Sequence, residues 1–158
     1  MSVAMRRIAL TAAGLVVACT FGLSHVATSG AKVPIGHTCS VTDRQFIETA
    51  RTNVTALGLW GDEYLNGDAR PGEVIAQAKR AAAIVRGTEP SDPSLGETRG
   101  LMVGMFTEYG KAIRAQAHHA NAGPHMYRAY GLANFAHTVL ESAAGDLKSK
   151  GCDVEALL

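Results

Sequence analysis

Four stretches of this chain carry apolar residues at alternating spacings of three and four, and this periodicity limits the possible folds more than any other feature. Such spacing places apolar side chains along one stripe of an α-helix. The fourth stretch keeps the alternation without a break, and its stripe consists of Met126, Tyr130, Ala133, His137, Leu140, Ala144 and Leu147. We find no period-two alternation of the kind that marks a half-buried strand. The sequence therefore predicts an all-α protein.

Short polar breaks separate the four predicted helices. The breaks NGDARP, GTEPSDP and NAGP leave helices over about 42–65, 71–86 and 93–120, with a fourth helix from Pro124. Helices joined by short turns lie antiparallel when they bury their apolar stripes together. We therefore expect a single up-down-up-down antiparallel four-helix bundle whose two chain ends meet at one pole.

Capping residues support these boundaries. Thr42 followed by Gln45 has the spacing of a capping box, and Asp92 before Pro93 combines a favoured cap with a favoured first residue. The second helix is the shortest, about 24 Å at 1.5 Å per residue. We expect the GTEPSDP connection to cross the pole that this helix leaves uncovered.

The first thirty residues differ in character from the rest of the chain. MSVAMRR is basic, and the apolar run IALTAAGLVVACTFGL follows it without a charge. This order is typical of an export signal. VVAC, which ends at Cys19, resembles the lipobox of bacterial lipoproteins, whereas small residues near Ser29 and Ala31 suit ordinary cleavage. An uncleaved membrane anchor is the third alternative.

The predicted organisation has four parts. A signal peptide or lipoprotein leader with its tether covers 1–31, a linker covers 32–41, the bundle covers 42–152, and a C-terminal tail covers 153–158.

Cys39 and Cys152 stand at the two ends of the predicted bundle. Exported proteins meet an oxidising environment, so an even pair of cysteines favours a disulfide over free thiols. The two cysteines have no CxxC partner that would indicate a metal site. We expect this disulfide to join the N- and C-terminal ends of the bundle.

The charges argue against nucleic acid as a partner. Fifteen basic residues nearly balance fourteen acidic ones, whereas a protein that tracks phosphates has a basic stripe. The basic residues of the second and third helices read as scattered polar positions; they are Lys79, Arg80, Arg86, Lys111 and Arg114.

His137 occupies a core position of the fourth stripe, at about the same level as Tyr109 and Asn53. These three side chains are predicted to form a buried polar layer that satisfies its own hydrogen bonds. The alternative makes His137 an axial ligand to haem or part of a metal site inside the bundle. No CxxCH attachment sequence accompanies it.

Three more histidines cluster around the turn between the third and fourth helices. One of His118 and His119, together with His125, could assemble a zinc or copper site with a carboxylate from the end of the first helix. The candidate carboxylates are Asp62 and Glu63. Solvated surface histidines are the alternative interpretation.

These observations favour an exported cell-envelope protein that works as a binding or accessory module, without an enzymatic activity or a cofactor. It is expected to be secreted or held at the extracytoplasmic face of the membrane by its leader or by lipid on Cys19. Its partner is expected to be an envelope protein or a small ligand. The alternative function is a carrier of haem, zinc or copper that uses the bundle histidines.

Overall fold

The computed structural model describes residues 38–158, which form four α-helices and a terminal 3₁₀ turn. The helices are α1 (Val41–Asn66), α2 (Pro71–Arg86), α3 (Pro93–Ala117) and α4 (Gly123–Ser149), followed by the 3₁₀ turn Glu155–Leu157. No strand occurs in this part of the chain, so the predicted all-α class is confirmed. Within it, none of the helices is both long and apolar enough to cross a membrane. The predicted leader and Cys19 lie outside the described residues.

Two helix ends differ from the predicted ones because local hydrogen bonds favour other caps. Ser40 rather than Thr42 caps α1, and its Oγ accepts a bond of 3.0 Å from the backbone N–H of Asp43. The third helix ends at Ala117, three residues before the predicted end, because His119 adopts a left-handed backbone with φ of 56°. That conformation cannot continue a right-handed helix.

The helices pack in chain order, each against the next. α2 contacts α1 and α3, and α3 contacts α4. The Cα atoms of α1 and α4 do not come within 8 Å of one another, so these two helices do not pack along their lengths. As a consequence, one side of α4 is left without a neighbouring helix.

The core draws buried apolar side chains from all four helices, including Val74 and Val85 of α2. The largest fully buried ones are Phe46, Leu95, Phe106, Leu140 and Leu147. In α4 the predicted stripe is buried only in its C-terminal half, since Met126 and Tyr130 remain exposed.

The predicted disulfide is present. Cys39 and Cys152 are bonded, with their Cα atoms 5.0 Å apart, and both residues are buried. The bond closes a separation of 113 residues and joins the start of α1 to the segment after α4. We call this end of the molecule the disulfide pole, which comprises Cys39, Asp43, Cys152 and the connection 87–92.

The connection between α2 and α3 lies across the disulfide pole, as its short preceding helix predicts. The buried carboxylate of Asp43 accepts hydrogen bonds from the backbone N–H groups of Ser91 (2.7 Å) and Asp92 (3.0 Å). The Ser91 hydroxyl donates to the same carboxylate at 2.9 Å. Lys150 donates to Asp92 at 2.9 Å and so ties the end of α4 to this loop.

These contacts shift the pKa values of Asp43 and Lys150. Burial alone would raise the pKa of Asp43, but hydrogen bonds from Ser40, Asp92 and Ser91 outweigh it and lower the pKa to about 2. The carboxylates of Asp146 and Asp92 raise the pKa of Lys150. Asp43 and Lys150 therefore hold their charges throughout the neutral range.

Candidate functional site

The predicted buried layer of Asn53, Tyr109 and His137 does not form. His137 is exposed, and its Nε2–H donates to the backbone oxygen of Leu158 at 3.1 Å. Asn53 is buried but donates to the carbonyl of Thr49, one turn earlier in its own helix. The prediction for His137 is wrong because the fourth stripe meets solvent at this level. The side chain of His137 therefore lies at the surface and not in the bundle core.

The histidines of the α3–α4 turn also stay apart from the predicted carboxylates. His118 and His119 are exposed, as are Asp62 and Glu63 at the end of α1. No group of three or more histidine, cysteine, aspartate or glutamate side chains within 38–158 is placed to hold a metal ion. A zinc or copper site at this turn stays a prediction from the sequence.

His125 instead joins a charged network centred on Glu108, a residue that the sequence analysis missed. Nδ1 of His125 lies 2.7 Å from Glu108, and Nζ of Lys111 lies 2.6 Å from it. Arg128 is farther away, at 3.8 Å. Lys111 and then His125 lower the pKa of Glu108 through hydrogen bonds to its carboxylate. The spacing of Glu108 and Lys111 was a visible signal for the first of these pairs.

A groove also lies between α3 and α4, and we call it the tyrosine groove. It encloses about 400 Å³. Its lining is apolar or aromatic along both helices and consists of Met105, Tyr109, Met126, Tyr127, Ala129, Tyr130 and Ala133. Tyr127 is 80% exposed and Tyr130 is 67% exposed. Large aromatic rings thus stand in solvent at the rim of an apolar depression.

Tyr109 forms the floor of the tyrosine groove and connects it to α1. Burial raises the pKa of its phenol, and the negative charge of Asp62 acts in the same direction. A Cβ atom at Gly61 would lie 2.9 Å from the Tyr109 hydroxyl oxygen. Glycine at 61 therefore lets the tyrosine ring lie close to the backbone of α1.

Close packing of α3 against α4 shapes the same groove. A Cβ atom at Gly104 would lie 3.1 Å from Cδ1 of Leu132, so the two helices approach each other tightly here. The exposed rings of Tyr127 and Tyr130 project from a helix that is held firmly by its neighbour. Such an arrangement is suited to non-covalent recognition, because preorganised aromatic side chains lose little conformational freedom on binding.

Comparison of this chain with protein families, with curated proteins and with solved structures found no match.

Proposed function

We propose that this protein is a non-catalytic binding or accessory module of the cell envelope that docks a protein partner in the tyrosine groove. The observation that carries the proposal is the exposure of Tyr127 and Tyr130 above an apolar groove. We include in the proposal an up-down-up-down antiparallel arrangement of the four helices, preceded by a signal segment. The covalent link between the two chain ends supports that arrangement.

The composition of the groove favours a protein partner. The centres of protein interfaces are enriched in tyrosine, methionine and arginine, and aromatic anchors at such centres carry a large share of the binding energy. Here Met105, Met126, Tyr127 and Tyr130 all line the groove. Each tyrosine can bury about 150–250 Å² of surface in a complex.

The disulfide supports an exported location. Bonded cysteines persist in oxidising compartments and are rare in reducing ones. Together with the basic and apolar start of the sequence, the disulfide favours a protein that is secreted or held at the extracytoplasmic face of the membrane. Lipid on Cys19 would provide the attachment, and the mass of the mature N-terminus tests it. The carrier of haem, zinc or copper stays a prediction from the sequence.

Site-specific photocrosslinking tests the docking proposal. A benzophenone side chain is placed at position 130 in the groove or at position 135, where Phe135 is also on α4 and 65% exposed. After irradiation of intact host cells, we expect one discrete crosslinked protein from position 130. Excess purified wild-type protein added to permeabilised cells should compete for the partner and reduce the amount of this crosslinked product.

The matched control is position 135, because it offers similar exposure and chemistry outside the groove. The double variant Y127A/Y130A, added as competitor, should fail to reduce the crosslink. Equal crosslinking from positions 130 and 135 would rule out the tyrosine groove as the docking site. Competition by the double variant as strong as that by the wild type would do the same.

A further inference from the structure

A second groove lies between α2 and α3, on a different face of α3 from the tyrosine groove. It encloses about 230 Å³, and we call it the basic groove. The apolar side chains in its lining are Ile75, Ala82 and Phe106. The remaining lining residues are Lys79, Arg86, Thr107, Gly110, Lys111 and Arg114. Four cations therefore surround a small apolar floor.

This arrangement corrects the expectation that the basic residues of α2 and α3 are scattered. Lys79 and Arg86 are seven residues apart on one face of α2, and Lys111 and Arg114 are three apart on α3. Residues at these spacings share a helix face. The packing of α2 on α3 brings the two faces to one groove, whereas Arg80 does not line it.

Three of the four cations have no carboxylate partner in the described part of the chain. Lys111 pairs with Glu108, but Lys79, Arg86 and Arg114 form no salt bridge within 38–158. Like charges gathered in a groove repel one another and raise the local concentration of anions. The clustering of these cations contributes no evident stability to the fold. A bound anion would offset the repulsion between them.

The floor of the basic groove decides which anions fit. Phe106 is completely buried beneath the groove, and α2 and α3 approach closely here, because a Cβ at Gly110 would lie 3.4 Å from that of Ala78. The volume is below the range of about 300–1,000 Å³ that is typical of drug-sized ligands. A compact anionic head with a short apolar body matches both the cations and the floor.

We infer that the basic groove binds a small amphipathic anion whose phosphate or carboxylate head lies between Lys79, Arg86 and Arg114. The guanidinium groups of Arg86 and Arg114 suit such a head, because each can donate two parallel hydrogen bonds to an oxyanion. The apolar part of the ligand lies over Ile75, which is partly exposed in the groove. A discrete ligand is favoured over a membrane surface because the cations line a concave groove between two helices. The inference is independent of the docking proposal, which concerns other residues.

Calorimetric titration of the exported protein, with its disulfide intact, tests this site with octyl phosphate and octanoate as probes. We expect saturable binding of one probe molecule per chain. Octyltrimethylammonium, with the same chain and opposite charge, should not bind. Inorganic phosphate should bind more weakly than octyl phosphate, because it has no apolar part to cover the floor.

The matched variants are Arg86→Gln and Arg80→Gln, which remove the same group from the same helix inside and outside the groove. Arg86→Gln and Arg114→Gln should each weaken octyl phosphate binding about tenfold, the loss expected for a charge-assisted hydrogen bond. Arg80→Gln should leave it unchanged. Circular dichroism should show all three variants folded, since these side chains are exposed.

Three results would overturn the inference. These are equal losses in Arg80→Gln and Arg86→Gln, binding of inorganic phosphate as strong as that of octyl phosphate, and binding to phosphatidylglycerol vesicles without any binding of the free probes. The last result would assign the cations to a membrane surface instead.

Discussion

At the disulfide pole, a covalent bond and a buried carboxylate tie together both ends of the helical region and the α2–α3 connection, whereas the opposite half of α4 presents tyrosines to solvent. Tyr130 lies about 30 Å along α4 from the end of that helix at 1.5 Å per residue. The first region fixes the fold through Cys39, Cys152 and Asp43. The second region offers exposed apolar surface. The difference indicates that stability and recognition are assigned to separate parts of this molecule.

Removal of the disulfide should have the largest effect on the first region. Cys152→Ser should lower the free energy of unfolding by about 4 kcal/mol, because the bond restricts a long loop in the unfolded chain. Urea unfolding under oxidising conditions measures this loss. In reductant, the wild type and Cys152→Ser should unfold alike. An equal difference with and without reductant would show that the bond is not what stabilises the wild type.

Asp43 should give the next largest effect. Asp43→Asn is expected to cost about 2 kcal/mol at pH 7, because the ionised carboxylate is preferred by the hydrogen bonds that it accepts. Its folded pKa of about 2 lies below the ordinary value of 3.8. The stability that it contributes is therefore complete above about pH 4 and is lost as the pH falls toward 2.

Unfolding measured between pH 2 and pH 7 checks this contribution. The wild type should lose more stability on acidification than Asp43→Asn does. Asp62→Asn serves as the control, since it removes an exposed carboxylate from the same helix. A parallel pH profile for wild type and Asp43→Asn would contradict the assigned role of this carboxylate.

The two halves of the molecule also differ in how predictable they were. The helices followed from residue spacing and caps, which depend on neighbours in sequence, and the disulfide followed from an even pair of cysteines in a chain with an export signal. Burial of Tyr130 and His137 was predicted wrongly, because it depends on whether α1 covers α4. The bonds of Asp43 to Ser91 and of Glu108 to His125 join residues far apart in sequence, so no local pattern revealed them. The groove residues Met126 and Tyr130 belong to an apolar stripe of α4 that was predicted to face the core, so the sequence did not predict the tyrosine groove.

A pair of glycine substitutions in α1 tests whether Tyr109 packs against this helix. Gly58→Ala should stabilise the protein by up to about 1 kcal/mol, because alanine has the higher helix propensity and a Cβ there meets nothing within 4 Å. Gly61→Ala should lose this gain, since its Cβ would displace the hydroxyl of Tyr109. Thermal unfolding compares the two variants. Equal stabilisation would mean that Tyr109 is not held against α1.

His137→Leu should have the smallest effect. The side chain is exposed, donates a hydrogen bond to the backbone oxygen of Leu158 and lies 3.5 Å from Glu141. We expect the free energy of unfolding to change by no more than about 0.5 kcal/mol, as for most surface substitutions. Urea unfolding at pH 7 measures it. A loss of several times that size would place His137 in the core after all.

The separation of stability from recognition is tested most directly by urea unfolding of the double variant Y127A/Y130A. If these rings serve binding alone, its free energy of unfolding should match that of the wild type within about 0.5 kcal/mol or rise slightly, since alanine favours helix. A loss of about 3 kcal/mol or more, the size seen on truncation of buried aromatic residues, would show that the tyrosines hold the fold together.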